Sequence, residues 1–402
     1  MADCIIPEGY KETVFGIIPK EWEVKRIKDI GTVVTGSTPS TSDMENYGNE
    51  YLFVSPVDLS GNKYIYNTEK KLSLKGYNLS RKIPTGAVLF TCIGSTIGKM
   101  GVTISSLACN QQINAIICNS NVNNEYLFYE LSNRAKQIKL LAGEQAVPIV
   151  NKSDFENIRI LLSPLSEQQK IAEILNVWDK AIEKQTQLIE KLELRKKGLM
   201  QQLLTGKKRL PGFSGEWKRV KAGLLFGSSS IRSNKLEPLL SVTQDKGVVP
   251  RDMLETRVTM PNGDLSSFKL VDVGDFVISL RSFEGGLEYS KYRGIVSPAY
   301  TVLKKKPDIS DVFYKVYFKS NDFIQRLAVA VIGIRDGKQI SYSDFCYIKI
   351  PYPSLQEQNA IANVFVSCDS EILLAKQKLN RFQQQKKGLM QVLLTGKKRV
   401  IQ

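Results

Sequence analysis

An internal repeat constrains this sequence more than any other feature. The segment KKGLMQQLLTGKKR at 196–209 recurs as KKGLMQVLLTGKKR at 386–399, with thirteen of fourteen positions identical at an offset of 190 residues. The same offset continues upstream without a gap, so that Glu167 aligns with Glu357. A fixed offset over so long a stretch indicates one structural unit that is present twice.

The segments ahead of these two copies match more loosely. Trp22 aligns with Trp217, and TGAVLF at 85–90 aligns with VGDFVI at 273–278. Each of the latter two segments is typical of a turn glycine followed by a buried strand. The pattern indicates one fold that carries two different surfaces. We interpret the two halves as performing the same function on two different targets.

Both repeated segments have the apolar spacing of a long amphipathic helix. Steps of four and three residues select an apolar stripe that is interrupted by a lysine at the same place in both copies, Lys196 and Lys386. Ser-x-x-Gln and Ser-x-x-Glu boxes that begin at Ser166 and Ser354 predict the helix starts, and Gly206 and Gly396 predict the ends. About 33 residues at ~1.5 Å each make a rod of roughly 50 Å. The predicted helix-pairing seam consists of Ile171, Leu175, Trp178, Ile182, Ile189, Leu192, Leu199 and Leu203 in the first copy, and Ile361, Phe365, Ile372, Leu379, Phe382, Leu389 and Leu393 in the second.

Two kinds of packing account for such a stripe, because each helix can pack on its own globular segment or on the other helix. A stripe of more than four heptads is longer than a globular segment of ~150 residues normally covers, which favours helix pairing. The predicted fold class is therefore α+β: two globular α/β domains in tandem, each followed by a long amphipathic helix, with the two helices paired as an antiparallel coiled coil. The expected segments are a first head at 1–160, a first helical region at 161–210, a second head at 211–350 and a second helical region at 351–402.

Composition narrows the range of functions. The chain of 402 residues contains no histidine, which removes the commonest general base and metal ligand. Its six cysteines form no CxxC pair, so neither a zinc site nor a disulfide framework is expected. The net charge of +16 favours a polyanionic partner, nucleic acid first. Composition alone also fits a ribosomal protein, a protein of the membrane surface or a merely soluble protein.

No targeting signal is evident in the sequence. No apolar run reaches the length of a membrane span, and the start MADCIIPEGYKET lacks the basic and apolar regions of a signal peptide. We therefore expect a cytoplasmic protein that does not contact a membrane.

Motifs that could carry catalysis fit it poorly. The glycine-rich loop and the Asn/Asp-Pro-Pro-aromatic motif of an aminomethyltransferase are both missing. GSTIGKM at 94–100 has too few residues between its glycines for a phosphate loop, which favours a tight turn. Asp58, Glu69 and Lys71 fit the loosest metal-nuclease pattern, but the second half has no counterpart of that pattern.

Candidate DNA-binding residues are spread over both heads. TGSTPSTS at 35–42 offers small hydroxyls and backbone amides that suit phosphate, and the segments that follow interleave basic with aromatic residues. In the second head, arginines could make bidentate contacts with guanine. A solvated loop is an equally good interpretation of any single candidate. The candidates are Thr35, Ser37, Thr38, Ser40, Lys63, Tyr64, Arg81, Lys82, Ser95, Thr96 and Lys99 in the first head, and Arg281, Ser282, Lys291, Arg293, Arg335 and Lys338 in the second.

Several of these segments together resemble the specificity (S) subunits of Type I restriction-modification enzymes, and the resemblance covers essentially the whole chain. TGSTPSTSDMENYGNEYLFVSPVDL at 35–59, LFTCIGSTIGKMGV at 89–102 and CNQQINAI at 109–116 are similar to their target recognition domains. PLSEQQKIAEIL at 164–175, KKGLMQQLLTG at 196–206 and their second copies are similar to their conserved helical regions. The second head departs from the family, because FGSSSIRSNKLEP at 226–238 lacks the Gly-x-Thr-Pro signature.

The resemblance implies a non-catalytic subunit that binds double-stranded DNA. Each head would read one half of an asymmetric, interrupted target, and the helices would set the gap. The chain would bind two modification (methyltransferase) subunits and, in the full enzyme, two restriction subunits. It would hold no cofactor or metal itself, because S-adenosylmethionine, ATP and Mg²⁺ belong to those partners. A self-contained metal nuclease and a coiled-coil scaffold without a nucleic-acid role are the competing hypotheses.

Overall fold

The structure is a computed structural model of the chain, and it describes residues 6–59, 61–143, 146–232, 236–254, 265–330 and 340–400. By its internal contacts the chain divides into two compact units, Met1–Lys184 with Lys378–Gln402, and Gln185–Gln377. Each unit therefore contains one head, the first half of the helix that follows that head, and the second half of the other helix. The boundary falls inside both long helices.

The first unit is built on a five-stranded sheet in the order β4-β11-β8-β9-β6. Its pairings are antiparallel except for β6 with β9. A three-stranded sheet, β10-β5-β7, and two pairs, β1-β2 and β3-β12, complete the head. The strands are β1 Tyr10–Thr13, β2 Gly16–Pro19, β3 Glu23–Arg26, β4 Gly31–Thr35, β5 Tyr47–Val54, β6 Tyr64–Ile65, β7 Lys70–Leu72, β8 Val88–Thr91, β9 Met100–Thr103, β10 Ala108–Cys109, β11 Ile113–Cys118 and β12 Arg159–Leu162. The helices are α1 Ile27–Ile30, α2 Leu74–Leu79, α3 Asn124–Leu140, α4 Lys152–Asn157 and α5 Leu165–Leu203, and a short 3-10 helix spans Met44–Asn46.

Strand β8 separates two apolar cores in this head. Because neighbouring side chains of a strand point to opposite faces, Val88 and Phe90 enter one core and Leu89 enters the other. The core around Phe90 also contains residues of α3 and of α5. Leu394, from the end of the second repeat, is fully buried in the same core. The first head is thus covered by parts of both helical regions.

The second unit repeats the sheet of the first. Its four-stranded sheet has the order β14-β21-β18-β19, which corresponds strand for strand to β4-β11-β8-β9. This agreement confirms that the loose alignment of the two heads reflects a shared fold. The strands are β13 Lys218–Lys221, β14 Phe226–Ser229, β15 Leu240–Thr243, β16 Gly247–Pro250, β17 Lys269–Val271, β18 Phe276–Ile278, β19 Glu288–Tyr289, β20 Gly294–Val296, β21 Thr301–Lys305 and β22 Lys349–Tyr352. The helices are α6 Ala222–Leu225, α7 Ser282–Gly285, α8 Asp311–Tyr317, α9 Asn321–Ala330, α10 Tyr342–Tyr347 and α11 Leu355–Leu393, with 3-10 turns at Arg251–Met253 and Leu265–Ser267.

The two long helices, α5 and α11, have 39 residues each, or about 58 Å at ~1.5 Å per residue. They are longer than the sequence predicted because they begin at Leu165 and Leu355, ahead of the first seam residues Ile171 and Ile361. Ser354 caps α11 as predicted, since its Oγ accepts a hydrogen bond from the Glu357 N–H at 3.3 Å. The corresponding box at Ser166 was predicted wrongly, because α5 starts at Leu165 and Ser166 lies inside its first turn.

The helices pair within each unit. In the second unit Gln185 Nε2 donates to the Ala375 carbonyl at 3.0 Å, and Lys196 lies 2.5 Å from Asp369. Because the residue numbers rise along one helix and fall along the other, the pair is antiparallel. In the first unit Lys386 lies 2.5 Å from Asp179. These two ion pairs explain why a lysine interrupts both apolar stripes at the same place.

Every residue of the predicted seam is buried or half-buried. The seam contacts more than the partner helix, however. Ile171 and Leu175 at the start of α5, and Leu393 at the end of α11, belong to the core of the first head. The two interpretations of the stripe are therefore both partly correct, because the ends of each helix pack on a head and the middle packs on the other helix. In the part of the chain that the structure describes, no helix is long and apolar enough to cross a bilayer.

Candidate nucleic-acid interface

The hydroxyl-rich loop of the first head lies directly after β4. Gly36 lets this loop cross closely over the backbone, because a Cβ there would lie 2.2 Å from the Asn110 carbonyl oxygen. Ser37 Oγ accepts a hydrogen bond from the Arg81 N–H at 2.8 Å, and Arg81 Nη1 donates to the Thr35 carbonyl at 2.9 Å. The structure therefore brings Arg81 next to Thr35 and Ser37 although it lies far from them in the sequence.

The remaining candidates of this loop are exposed. Thr38 donates through its hydroxyl to Gln111, and the Ser40 hydroxyl lies 2.8 Å from that of Ser42. Lys82 is also exposed and donates to Asn78 at 2.9 Å. Such a surface offers hydroxyl, guanidinium and ammonium donors, which are the groups that contact DNA phosphates.

A cleft of about 510 Å³ lies next to this loop. Thr41 and Met44 line one side of the cleft, and Lys70 and Lys71 line the other. Met44 is 76 % exposed. The cleft adds two cations and an apolar side chain to the candidate surface.

The turn between β8 and β9 carries Ser95, Thr96 and Lys99. Gly94 and Gly98 have φ values of 82° and 95°, so this backbone requires glycine at both positions. The prediction of a tight turn is confirmed. Ser95 is exposed and its carbonyl accepts from Lys139 at 3.1 Å, whereas Lys99 is half-buried and donates to the Pro56 carbonyl at 3.3 Å.

Lys63 and Tyr64 lie elsewhere, in a polar cluster between the head and the long helices of the same unit. Only 8 % of the Lys63 side chain is exposed, and its ammonium lies 3.3 Å from Glu125. Burial lowers the pKa of Lys63 against the opposing effect of Glu125. The Tyr64 hydroxyl donates to Glu125, and burial together with that carboxylate raises the pKa of Tyr64. Both side chains thus join the head to α3, and Lys63 also joins it to α5 because its ammonium donates to Asn176.

The nuclease pattern has a structural role. Asp58 Oδ2 accepts from the Ser55 N–H at 2.8 Å, and its Oδ1 accepts from the Glu69 N–H at 2.7 Å. The carboxylate thus holds two turns together. Within the described ranges no group of three or more potential metal ligands occurs.

In the second head, two adjoining cavities of about 540 and 570 Å³ form a groove. One wall is the turn between β15 and β16, with Gln244 and Lys246, and the other is the loop before α7, with Arg281. Tyr300 lines both cavities, and Arg251 lines the first. We call this the hairpin groove; beside the Asp245 carboxylate it presents cations, an aromatic ring and the Gln244 amide, which can contact phosphates and base edges.

Only part of this groove was predicted from the sequence. Arg281 was named, but the hairpin residues were missed. Their signal was present, because TQDKG at 243–247 stands between two short β-branched runs, as in a β-hairpin.

Three other candidates of the second head, Ser282, Arg293 and Lys291, are not among the residues that line the groove. Ser282 is 1 % exposed, and its hydroxyl accepts from the Ser279 N–H at 2.8 Å. Arg293 pairs with Glu237 at 2.7 Å and with Asp272 at 2.5 Å. Lys291 is exposed. Burial is the main cause that lowers the pKa of Lys315, and the charge of Lys291 lowers that pKa further. Arg335 and Lys338 lie outside the described residues.

Comparison with known proteins relates the chain to one family. The family described as Type I restriction modification DNA specificity domain matches residues 19–194. Over 98 % of both chains, the sequence is 28 % identical to the specificity subunit of the Type I restriction enzyme MjaVIII of Methanocaldococcus jannaschii. It is also 36 % identical to the MjaIX specificity subunit of that organism, over 46 % of this chain and 45 % of the relative. Along nearly its whole length the chain is thus similar to specificity subunits of Type I restriction enzymes.

Two solved structures from Type I restriction-modification systems have the same fold. The S subunit of a Type I system from M. genitalium superposes with a TM-score of 0.56 and 15 % identity, over 93 % of this chain and 96 % of that one. A chain from a study of complex assembly and conformational transition of the type I R-M system superposes with a TM-score of 0.62 and 17 % identity, over 94 % of this chain and 99 % of that one. The relatives in sequence are thus specificity subunits, and the family model that matches is that of a DNA specificity domain.

Proposed function

We propose that each head of this specificity subunit reads one half of an asymmetric, two-part DNA target. The observation that carries the proposal is the shared sheet, β4-β11-β8-β9 in one head and β14-β21-β18-β19 in the other, with different exposed loops. One scaffold with two chemically different surfaces suits two different half-sites.

The two surfaces differ in the groups they offer. The first head presents the hydroxyls of Thr38 and Ser40 beside Arg81 and Lys82. The second presents the hairpin groove with Arg281 and Lys246. Hydroxyls and lysines mainly position a protein on phosphates, whereas arginine can also read guanine through two hydrogen bonds.

An exchange of heads tests this division of labour. Residues 20–160 are replaced by the corresponding head of another family member, and the methylated sequence is mapped for the complex with its methyltransferase subunits. One half of the methylated sequence should change while the other half stays the same. Changes in both halves, or in neither, would contradict the proposal.

The long helices are proposed to set the gap between the half-sites. Four extra residues after Gln185 and four after Ala375 lengthen both helices by about 6 Å, close to two base-pair steps of ~3.4 Å. Because these two residues contact each other at the boundary of the units, the paired insertion preserves the helix register within each unit. The gap in the methylated sequence should lengthen by one or two base pairs. Insertion into one helix alone is the matched control, since it shifts Lys196 against Asp369 and should abolish activity. An active double insertion with an unchanged gap would refute the role of the helices.

The near-identical helical regions are proposed to bind two identical modification subunits, and two restriction subunits would join the full enzyme. S-adenosylmethionine, ATP and Mg²⁺ would be bound by those partners and not by this chain. Support comes from the repeat itself, because two copies of KKGLMQ(Q/V)LLTGKKR present nearly the same side chains twice. The mass of the purified complex of the two kinds of subunit measures the ratio directly. One methyltransferase subunit per chain would contradict the proposal, and salt-insensitive binding of that complex to DNA would contradict the DNA role.

A further inference from the structure

Lys319, just after α8, connects three segments of the second head through one ammonium group. Its Nζ donates to the Gln244 carbonyl at 3.3 Å, to the Gly285 carbonyl at 3.0 Å and to Glu288 Oε1 at 2.6 Å. Gln244 lies in the turn between β15 and β16, Gly285 ends α7, and Glu288 begins β19. The hairpin turn is one wall of the hairpin groove, and α7 directly follows the loop that forms the other wall, so Lys319 connects the first wall to the helix that continues the second.

The partner of Lys319 is a buried carboxylate. Glu288 is 1 % exposed, and burial raises its pKa to about 7 although Lys319 acts in the opposite direction. Its second oxygen, Oε2, makes no hydrogen bond in the part of the chain that the structure describes. A buried carboxylate of this kind needs its cation, and it therefore holds the ammonium in place.

The two walls also contact each other tightly. Gln244 Nε2 donates to the Arg281 carbonyl at 3.3 Å. A Cβ on Gly285 would lie 2.9 Å from the same nitrogen, and a Cβ on Gly286 would lie 1.9 Å from the Phe318 carbonyl oxygen. There is no room for a side chain at Gly286, because the atom in the way belongs to the backbone, whereas at Gly285 it is the end of the Gln244 side chain. The loop that carries Arg281 is therefore fixed against both the hairpin turn and the end of α8.

We propose that Lys319 is a positioning residue for the recognition of the second half-site. By joining the hairpin turn to the loop of Arg281, it fixes the width of the hairpin groove and the position of that arginine. Lys319 itself need not contact DNA. The inference rests on the proposed function, because it assumes that the hairpin groove is the surface that reads DNA.

The chemistry of lysine explains why this residue type is used. An ammonium group offers three N–H donors and no acceptor, so it can satisfy two carbonyls and a carboxylate together. The first head has a weaker arrangement. Among the described residues, Lys139 donates to the Ser95 carbonyl alone. The position that aligns with Glu288 is Met100, which offers no carboxylate. A change at Lys319 should therefore affect one half-site only.

The experiment uses the full chain in complex with its methyltransferase subunits. Methylation rates are measured on the cognate duplex and on two sets of duplexes that carry single base changes in one half-site or the other. Lys319→Met removes the donors and keeps the length of the side chain. We expect discrimination against changes in the second half-site to fall at least 10-fold, and discrimination in the first half-site to stay within 2-fold.

Further variants separate positioning from stability. In Lys319→Met with Glu288→Gln no carboxylate is left without its cation, so the thermal stability should recover while the discrimination stays low. Lys319→Arg keeps the charge and should restore part of the discrimination. Lys305→Met is the matched control, because Lys305 belongs to the same head and donates to the Ile309 carbonyl at 3.5 Å, away from the groove.

The outcomes distinguish the inference from the proposed function. If discrimination falls equally in both halves, or follows the thermal stability through all variants, positioning by Lys319 is refuted. If Lys319→Met leaves discrimination intact while Arg281→Ala relaxes it in the second half-site, the inference fails and the proposed function stands. If neither Arg281→Ala nor the exchange of heads changes the methylated sequence, the proposed function itself fails.

Discussion

Leu394 allows a direct test of the claim that the end of the second helical region belongs to the first unit. This side chain is fully buried in the core that contains Phe90, while Leu204, its counterpart in the repeat, is fully buried in the core of the second unit. Leu→Ala at such sites destabilises a protein by about 2–5 kcal/mol. A loss of ~3 kcal/mol corresponds to a rise of roughly 100-fold in the exchange rate of the most protected amides.

Hydrogen exchange followed by mass spectrometry measures this effect strand by strand. In Leu394→Ala we expect faster exchange in β8 and β11, with β18 and β21 unchanged. In Leu204→Ala we expect faster hydrogen exchange in β18 and β21, with β8 and β11 unchanged. Faster exchange in the second head of Leu394→Ala, or no change in either head, would refute the assignment of the tail to the first unit.

Three further predictions concern stability and assembly. The pKa of Glu288 is raised from 4.5 to about 7, so the stability that this residue contributes is complete below pH 4.5 and is lost as the pH rises to about 7. As the pH rises from 4.5 to 7.5, the free energy of unfolding of Glu288→Gln, measured by urea denaturation, should therefore increase by about 3 kcal/mol relative to that of the wild type. Parallel pH profiles of the two proteins would contradict this. Gly396→Ala should destabilise the first unit by more than ~1 kcal/mol in thermal unfolding, because φ at this residue is +71° and the new Cβ would lie 2.4 Å from Pro19 Cδ. Gly388→Ala is the control, because this glycine lies in open space within α11, and the change should stabilise the protein by ~0.5–1 kcal/mol in the same assay. Residues 1–209 alone should form a dimer in sedimentation experiments, because 196–209 of a second copy can replace 386–399, whereas a stable monomer would contradict the role of that segment.

The fold was predicted well wherever periodicity carries the information. Steps of three and four identified the apolar stripe, and all the seam residues are buried or half-buried. Periodicity shows that a residue is buried but does not show against what. It could not reveal that Leu393 packs in the first head, because that contact joins residues far apart in the sequence. The lysine interruption became explicable only once Asp179 and Asp369 were placed opposite it.

The candidate site was predicted less well, because residue type does not determine exposure. Ser282 was chosen for its hydroxyl, yet that hydroxyl accepts a hydrogen bond inside a turn. Lys63 was chosen for its charge, yet its ammonium lies against Glu125. In both cases a group that suits DNA also suits a local polar contact, and only the fold distinguishes the two uses. Whether the exposed candidates bind DNA stays a prediction.

The burial of Leu394 in the first head has a consequence for biosynthesis. A ribosome that adds about 5–20 residues per second needs roughly 10–40 s to make the second half of the chain. Throughout that time the first head lacks the segment that closes its core. The near-copy at 196–209 is already present, but it continues the same rigid helix as residues 165–184. It therefore cannot fold back into the part of the core that Leu394 will fill. The N-terminal half of this protein thus completes its folding only when residues 386–399 have left the ribosome, and chaperones that shield apolar surface should associate with the nascent chain until then.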